Sequence, residues 1–345
     1  MTVLVVSPGV SYSTADVDAG VRFGLEAQGV TVVRYRLTER LAHSRRWLYQ
    51  AWRAAKRTRP DVVRPTVGDV FYQAGLGALV AALRHEVDAV VVVSAMFLHP
   101  DIVILMRRAH LKVTVIFTES PYDLAQELKV AELVDGCWTT ERTSVPAFRE
   151  VCVNSGYLRH GWHPEHHRAG RQPGDDDVPA HDVVFVGSGF PERTAWLAGI
   201  DWRGIDLGLY GHWDLGATHP LKKFVRSSTI DNEHTAALYR RATLALNLYR
   251  DAPGAESLNP RAYELAACGV CHISTARAEV DEVFGDLVPT VRGPAETEHI
   301  IREFIANASH REQVAASLPR CVADASWRHR AANLVADLHA LTAVA

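Results

Sequence analysis

The chain has 345 residues, of which 48% are hydrophobic and 22% charged, and a net charge of −3; at roughly 150 residues per domain this predicts about two domains and excludes disordered or fibrous classes. The longest apolar stretch, Ala89 to Leu98 with only Ser94 interrupting it, is short of the roughly 20 residues that span a bilayer, and the opening MTVLVVSPGV reads as a strand, not a signal peptide. Five cysteines are too few and odd-numbered for a disulfide scaffold and suit a reducing, cytoplasmic compartment.

In chain order, the β-branched run Thr2–Ser7 predicts a buried strand. Ser13-x-x-Asp16 can cap a helix over 16–28 that Gly29 ends. A strand over Val30–Arg36 follows, then helices over 44–57 and 68–86. Asp88–Ser94 (DAVVVVS) is continuously apolar, as in a strand covered on both faces. A helix over 100–110, a strand over Lys112–Thr118, a helix over Pro121–Val134 with Pro121 in its first turn, a strand over Gly136–Thr140, a helix over 143–152 and a strand over Tyr157–His160 complete the first half. Residues 164–181, polar and rich in Pro, Gly and Asp, read as an interdomain linker.

Strand and helix then alternate again. Strands fall at Asp182–Gly187, Ile205–Tyr210, Thr243–Leu248 and Val270–Ser274, and helices at 191–199, 233–241 and 260–268. Three more helical stretches follow at about 295–307, 310–323 and 326–341. The pattern is α/β with parallel sheets and right-handed crossovers. It predicts two Rossmann-like domains, 1–163 and 182–325, facing a central cleft, with ligands beyond the carboxyl ends of the strands. A last helix, 326–345, is expected to cross back to the first domain.

The stretch from Asn247 to Ser274 carries the most chemistry. Asn259-Pro260 is a helix start, with Asn as N-cap and Pro at the first helical position, and Gly269 is a stop. The helix N-terminus around Ser257, Leu258, Asn259 and Arg261 is a ready anion site. Arg261 in the first turn opposes the helix dipole, which an anionic ligand would explain; a surface pair with Glu264 is the competing explanation. Glu256 and Glu264 stand eight apart, E-x7-E, and carboxylates suit sugar and ribose diols because they are acceptor-only and bidentate. In VFVGSGFPERTAWL (184–197) a buried strand ends in Gly187-Ser188-Gly189, where backbone can approach a ligand, and Arg193 in the next helix can bind a diphosphate. Glu192 occupies the third glycine position, so a nicotinamide-binding turn is not expected. Cys268-x-x-Cys271 lacks a second ligand pair and reads as two small buried residues.

Taken together, DVVFVGS with Arg193, Tyr210-Gly211-His212-Trp213, Ala237-Leu238-Tyr239, Leu246-Asn247-Leu248 and Ser257-Leu-Asn-Pro-Arg-Ala-Tyr-Glu-Leu-Ala-Ala-Cys-Gly269 resemble the glycosyltransferases related to the spore-maturation protein CgeB, within the wider GT-B group carrying E-x7-E. The closing SWRHRAANLVADL (326–338), Gly161-Trp-His-Pro164 and Thr118-Glu-Ser-Pro-Tyr122 resemble that group as well, with His163 and Glu119 standing where relatives more often have Asp. The resemblance implies a nucleoside-diphosphate sugar as co-substrate, a UDP-sugar being the expected one, no other cofactor and no metal. It places the diphosphate on Arg193 and the 257–261 loop, the ribose on Glu264, donor-sugar hydroxyls on Glu256 and the base near residues 229–233. Gly187, Ser188, Gly211 and Asn247 would complete the donor site, and transfer would retain anomeric configuration. His99, in a position where relatives carry a cleft histidine, and Glu119 are further catalytic candidates. Tyr12 and Asp16 are candidates to border the acceptor. A non-catalytic sugar-nucleotide-binding protein and a GT-B sugar-nucleotide epimerase are the alternatives.

The histidines at 160, 163, 166 and 167 do not share a helix face, and a metal is not expected there. Residues 34–64 hold ten Lys/Arg against Glu39 and Asp61, a local charge of +8. Within them RRWLYQAWRAAKRTR (45–59) reads as a helix with Trp47, Ala51 and Ala55 on one stripe. Three readings stay open for it: a solvated amphipathic helix packed on the sheet, a membrane-surface contact recruiting a lipid-linked acceptor, or a patch for an anionic polymer such as DNA. The acceptor itself, whether polymer, protein or lipid-linked, is not read from the residues.

Overall fold

A computed structural model describes residues 1–8, 14–228 and 230–343. The chain forms two compact units, one of residues up to Arg159 together with those from Arg328 onward, the other of His160–Trp327.

In the first unit, β1 (Thr2–Ser7), β2 (Thr31–Arg36), β3 (Ala89–Val93), β4 (Lys112–Phe117), β5 (Gly136–Thr139) and β6 (Ser155–Tyr157) form a parallel sheet in the order β2-β1-β3-β4-β5-β6. The near-total burial of β3 explains its unbroken apolar sequence, because helices cover both faces of such a sheet. Around it lie α1 (Ala15–Ala27), α2 (Leu37–Lys56), α3 (Val67–Arg84), α4 (Pro100–Arg108), α5 (Leu124–Ala131) and α6 (Val145–Val151). Gly29, at φ 79°, follows the end of α1 in the left-handed region that glycine tolerates. Ser13, expected to cap α1, lies outside the described residues.

Two helix starts differ from expectation. The helix α2 begins at Leu37, directly off β2 and with no side-chain cap, so no local signal marked its start. Before α5, the Tyr122 and Asp123 N–H groups both return to the Glu119 carbonyl (2.8 and 3.2 Å). This turn keeps Pro121 out of the helix, and α5 starts at Leu124. Only the start of α2 packs on the sheet, through Leu37 and Leu41 beside Leu4 and Val6; no residue of it beyond Ser44 is buried. It pairs antiparallel with α3, tied through Tyr49 Oη to the Pro65 carbonyl (3.4 Å) and Trp52 Nε1 to the Val62 carbonyl (3.2 Å).

In the second unit, β7 (His181–Val186), β8 (Leu207–Tyr210), β9 (Val225–Ser227), β10 (Ala242–Asn247), β11 (His272–Thr275) and β12 (Thr290–Val291) form a parallel sheet in the order β12-β11-β10-β7-β8-β9. Its helices are α7 (Pro191–Ala198), α8 (Asn232–Arg241), α9 (Pro260–Ala267), α10 (Ala278–Phe284), α11 (Pro294–Ala306) and α12 (Ala308–Cys321); α13 (Trp327–Ala343) ends the described chain. The short elements β9, β12 and α10 have no counterpart in the sequence reading.

Residues 164–181 are not a loose connection. Asp175 is buried and accepts from Arg240 through Nε (2.9 Å) and Nη2 (2.7 Å), while Arg240 Nη1 donates to the His166 carbonyl (2.9 Å). His167 is also buried, its Nδ1 accepting from the His163 N–H (3.1 Å), and burial holds its pKa down to about 3, leaving it neutral. A polar, proline-rich composition concealed a segment ordered by one desolvated ion pair. Removing one partner strands the other charge, at a cost of about 3–5 kcal/mol. Asp175→Ala is therefore expected to lower the urea midpoint sharply and Asp176→Ala, at an exposed carboxylate, only slightly; equal shifts would show that the buried pair does not hold this segment.

Candidate functional site

The site in the second unit is built at the carboxyl ends of β7 and β10. Asn247, the last residue of β10, is fully buried. Its Oδ1 accepts from Asn259 Nδ2 (2.8 Å) and from Arg261 Nη1 (3.1 Å). Asn259 Oδ1 in turn caps α9 by accepting from the Ala262 N–H (3.0 Å), with Pro260 in the first turn. The Asn-Pro signal thus works as expected, and one buried amide fixes both the helix start and the Arg261 guanidinium.

Arginines converge here. Arg261 lies over the Phe185 ring at 4.8 Å, and Arg193 lies 5.6 Å from Phe185 and 5.0 Å from Phe190. Arg250, which the sequence reading passed over, lies 5.0 Å from Phe190 on its own account. Cation–π attraction helps keep like charges gathered before any ligand arrives. Arg193 Nη1 also donates to the Ser188 carbonyl (3.1 Å). A Cβ on Gly187 would lie 2.5 Å from Arg261 Nη2, and one on Gly211 would lie 2.6 Å from the Gly187 carbonyl oxygen. Gly187 therefore leaves room for Arg261, while Gly211 serves the close passage of two turns.

The helix tip differs from the expected open anion site. The Leu258 N–H donates to the Glu279 carboxylate (2.8 Å), Ala262 N–H is taken by Asn259, and Pro260 has none. Leu258 and Asn247 are buried and act as supports. Glu264 is buried on α9 and Glu256 is half-buried in the loop before it; Ser257 is buried between them. The positive character of the site comes chiefly from guanidinium groups.

Two residues not picked out from sequence hold the loop after β10. Arg277 donates through Nη1 to the Ala255 carbonyl (3.1 Å) and through Nη2 to the Arg250 carbonyl (2.9 Å), with its guanidinium over the Tyr249 ring at 4.9 Å. Glu279, fully buried, accepts from Leu258 as above, and its own N–H donates to the Glu256 carbonyl (3.1 Å). Both sit just after β11, and no local motif marks them. Arg193, Tyr249, Arg250, Thr275 and Arg277 line a cavity of about 570 Å³. Burial pushes the Tyr249 hydroxyl up to about 12, so it stays protonated.

The first-unit candidates follow the carboxyl ends of the neighbouring strands β1, β3 and β4. His99 is the N-cap of α4: its Nδ1 accepts from the Asp101 N–H (3.2 Å), and its ring meets Tyr72 edge-on at 5.5 Å. Glu119 follows β4 and is half-buried, and its N–H donates to Glu127 Oε1 (3.0 Å). Glu127, unremarked in the sequence, is the buried carboxylate of that turn and also accepts from the Ser120 hydroxyl. Asp16 lies in the first turn of α1, half-buried. Tyr12 lies outside the described residues, as does Thr229 of the segment 229–233. Cys268 and Cys271 are buried. Among the described residues no three His, Cys, Asp or Glu side chains gather in a way that could hold a metal ion.

Comparisons with known proteins agree with this architecture. Residues 180–336, which include β7 to α12, match the family model described as glycosyl transferase-like. Among solved structures, sucrose-phosphate synthase from Thermosynechococcus elongatus superposes with a TM-score of 0.68 at 14% identity, covering 100% of both chains. The E. coli trehalose-6-phosphate structure bound with UDP-2-fluoro glucose gives 0.61 at 12% identity, covering 98% of this chain and 99% of that one. The DNA-modifying β-glucosyltransferase, solved with and without uridine diphosphoglucose, gives 0.58 at 12%, covering 98% and 100%. No curated protein matches the sequence. The fold is that of the GT-B glycosyltransferases, two Rossmann-like units each built on a six-stranded parallel sheet.

Glu279→Ala leaves the Leu258 N–H buried without an acceptor, a loss of about 1–3 kcal/mol. Its loop 250–258 should then be cleaved by protease faster than in wild type; an unchanged cleavage rate would show that Glu279 does not brace it. Burial raises the Glu127 pKa from 4.5 to about 7. The folded pKa lies above the unfolded one, so this group's contribution to stability is complete below pH 4.5 and lost as pH rises through about 7. Denaturation of Glu127→Gln is expected to lose less stability than wild type between those two pH values, and parallel pH profiles would contradict the assignment.

Proposed function

We propose that the chain is a metal-independent glycosyltransferase that moves a sugar from a nucleoside-diphosphate donor, a UDP-sugar, to an acceptor handled by the first unit. The observation that carries this reading is the gathering of Arg193, Arg250 and Arg261 around Phe185 and Phe190, beside Gly187 and the E-x7-E helix. Three guanidinium groups gathered around two neighbouring rings suit a diphosphate, which they can meet with charge-assisted hydrogen bonds. As the sugar–phosphate bond breaks, negative charge grows on the leaving diphosphate, and donors fixed in advance stabilise it without reorganisation. No divalent ion is then required for that role.

In this reading Glu264 grips the ribose and Glu256 the donor-sugar hydroxyls. Asn247, Leu258, Glu279 and Arg277 position those groups without touching the ligand. Asp16 and Glu119 belong to the acceptor side, Glu119 as a candidate base. His99 serves chiefly as a helix cap. Transfer with retention follows from the E-x7-E resemblance. Two of the structural neighbours are named with uridine-diphosphate sugars, which supports a UDP-sugar as the first donor to try.

Binding of UDP-glucose and UDP-N-acetylglucosamine, followed calorimetrically, tests the donor site. Loss of a charge-assisted contact is worth about 1.5–3 kcal/mol, so Arg193→Ala and Glu264→Ala should each weaken binding by roughly 10- to 100-fold with circular dichroism unchanged. Undiminished binding in both variants would remove the donor-site assignment. Released UDP in the presence of acceptor supports transfer. Interconversion of the sugar without acceptor would favour an epimerase, and binding with neither reaction a non-catalytic protein.

A further inference from the structure

We infer that the outer half of the α2–α3 hairpin is a docking surface for an anionic lipid bilayer. The helix α2 leaves β2 at the carboxyl edge of the first sheet, where Tyr35 Oη donates to the Ala74 carbonyl of α3 (2.6 Å). From there α3 continues onto the sheet through buried Ala78 and Ala82, whereas α2 has no buried residue beyond Ser44. Residues 45–66 therefore stand off the sheet, held to α3 and to each other chiefly by Tyr49 and Trp52.

This surface is cationic along one stripe and apolar beside it. Arg46, Arg53 and Arg57 recur at i, i+7 and i+11, which places them on one face of the helix. They are exposed, and their side chains form no ion pair among the described residues. The single acid within the helix, Glu39, is taken by Arg36 (2.6 Å). Trp47, next to Arg46, is 53% exposed, and Val63 and Val67 at the hairpin end are 82% and 67% exposed. Lys56 lies over Trp52 (5.0 Å) and Arg64 over Tyr49 (5.2 Å), so cations and amphipathic rings share the same surface.

Uncompensated arginines with an adjacent exposed indole and exposed valines match the interface of a bilayer. There phosphates meet the cations, and the indole and aliphatic groups enter the headgroup boundary. Nucleic acid would also meet the cations but offers no apolar phase to Val63 and Val67. Under the glycosyltransferase reading, on which only the purpose of docking rests, the bilayer presents a lipid-linked acceptor to the first unit.

The test is cosedimentation of the full chain with vesicles of phosphatidylcholine, with and without one-third phosphatidylglycerol, at low salt. Binding to the anionic vesicles is expected, at least about tenfold above the neutral ones, since each cation near such a surface contributes a factor of about five. Arg46→Glu/Arg53→Glu/Arg57→Glu should lower it by more than about 100-fold, and Trp47→Ser by several-fold. Thermal stabilisation by UDP, followed in the same samples, should be unchanged in both variants, which reports intact folding and tests the donor site separately. Failure to sediment with anionic vesicles, or equal sedimentation of wild type and both variants, would overturn the docking surface while leaving the donor site standing. Tighter binding to a short duplex DNA than to the vesicles, abolished by the triple charge reversal but not by Trp47→Ser, would overturn it in favour of an anionic polymer.

Discussion

The amide oxygen of Asn247 accepts hydrogen bonds from two directions inside a fully buried corner. One partner, Asn259, sets where α9 begins. The other, Arg261, is a cation that would otherwise swing free beside a glycine-rich turn. A buried amide acceptor is costly to leave unmatched, so strand end, helix start and guanidinium are placed together. Gly187 completes the arrangement by having no side chain where Arg261 must lie. Arg193 then lies near both Phe185 and Phe190, and Arg250 over Phe190.

This corner also explains why the helix tip is less open than its sequence suggests. A short helix with Asn at its cap and Pro in its first turn has few amide hydrogens to offer, and Glu279 takes that of Leu258. Charge is delivered instead by side chains of greater reach. Arg277 and Glu279, on either side of Ala278, hold opposite ends of the loop that bears Arg250 and Glu256. The loop after β10 is thus tied down from the start of α10.

Much of the fold was legible because its signals are local. DAVVVVS has the unbroken apolar, β-branched run expected of a strand with both faces covered, as β3 is, and Asn259-Pro260 with Gly269 bounds α9 to within a residue or two. Elements whose reasons are tertiary were not legible. The strands β9 and β12 are two or three residues long and exist only by pairing with a neighbour. The start of α2 has no cap, and residues 164–181 are ordered by Arg240, some 65 positions away from Asp175. At the site, Arg193, Arg261 and Glu264 were marked by a glycine turn, an ill-placed cation and a spacing. Arg250, Arg277 and Glu279 were not, since an isolated arginine or glutamate after a strand resembles any surface charge until its partners are known.

The first unit is discontinuous along the polypeptide. Its closing helix, α13, comes after the whole of the second unit; there Asp337 accepts from Trp138 Nε1 (3.0 Å) and the Arg328 carbonyl from Gln28 (2.9 Å). During synthesis the six strands of the first sheet leave the ribosome well before that helix exists. Early folding must proceed with one flank of β5 and β6 uncovered, and assembly of the half made first is completed by residues translated after the whole of the second unit. A fragment ending near residue 160 would lack the same cover permanently.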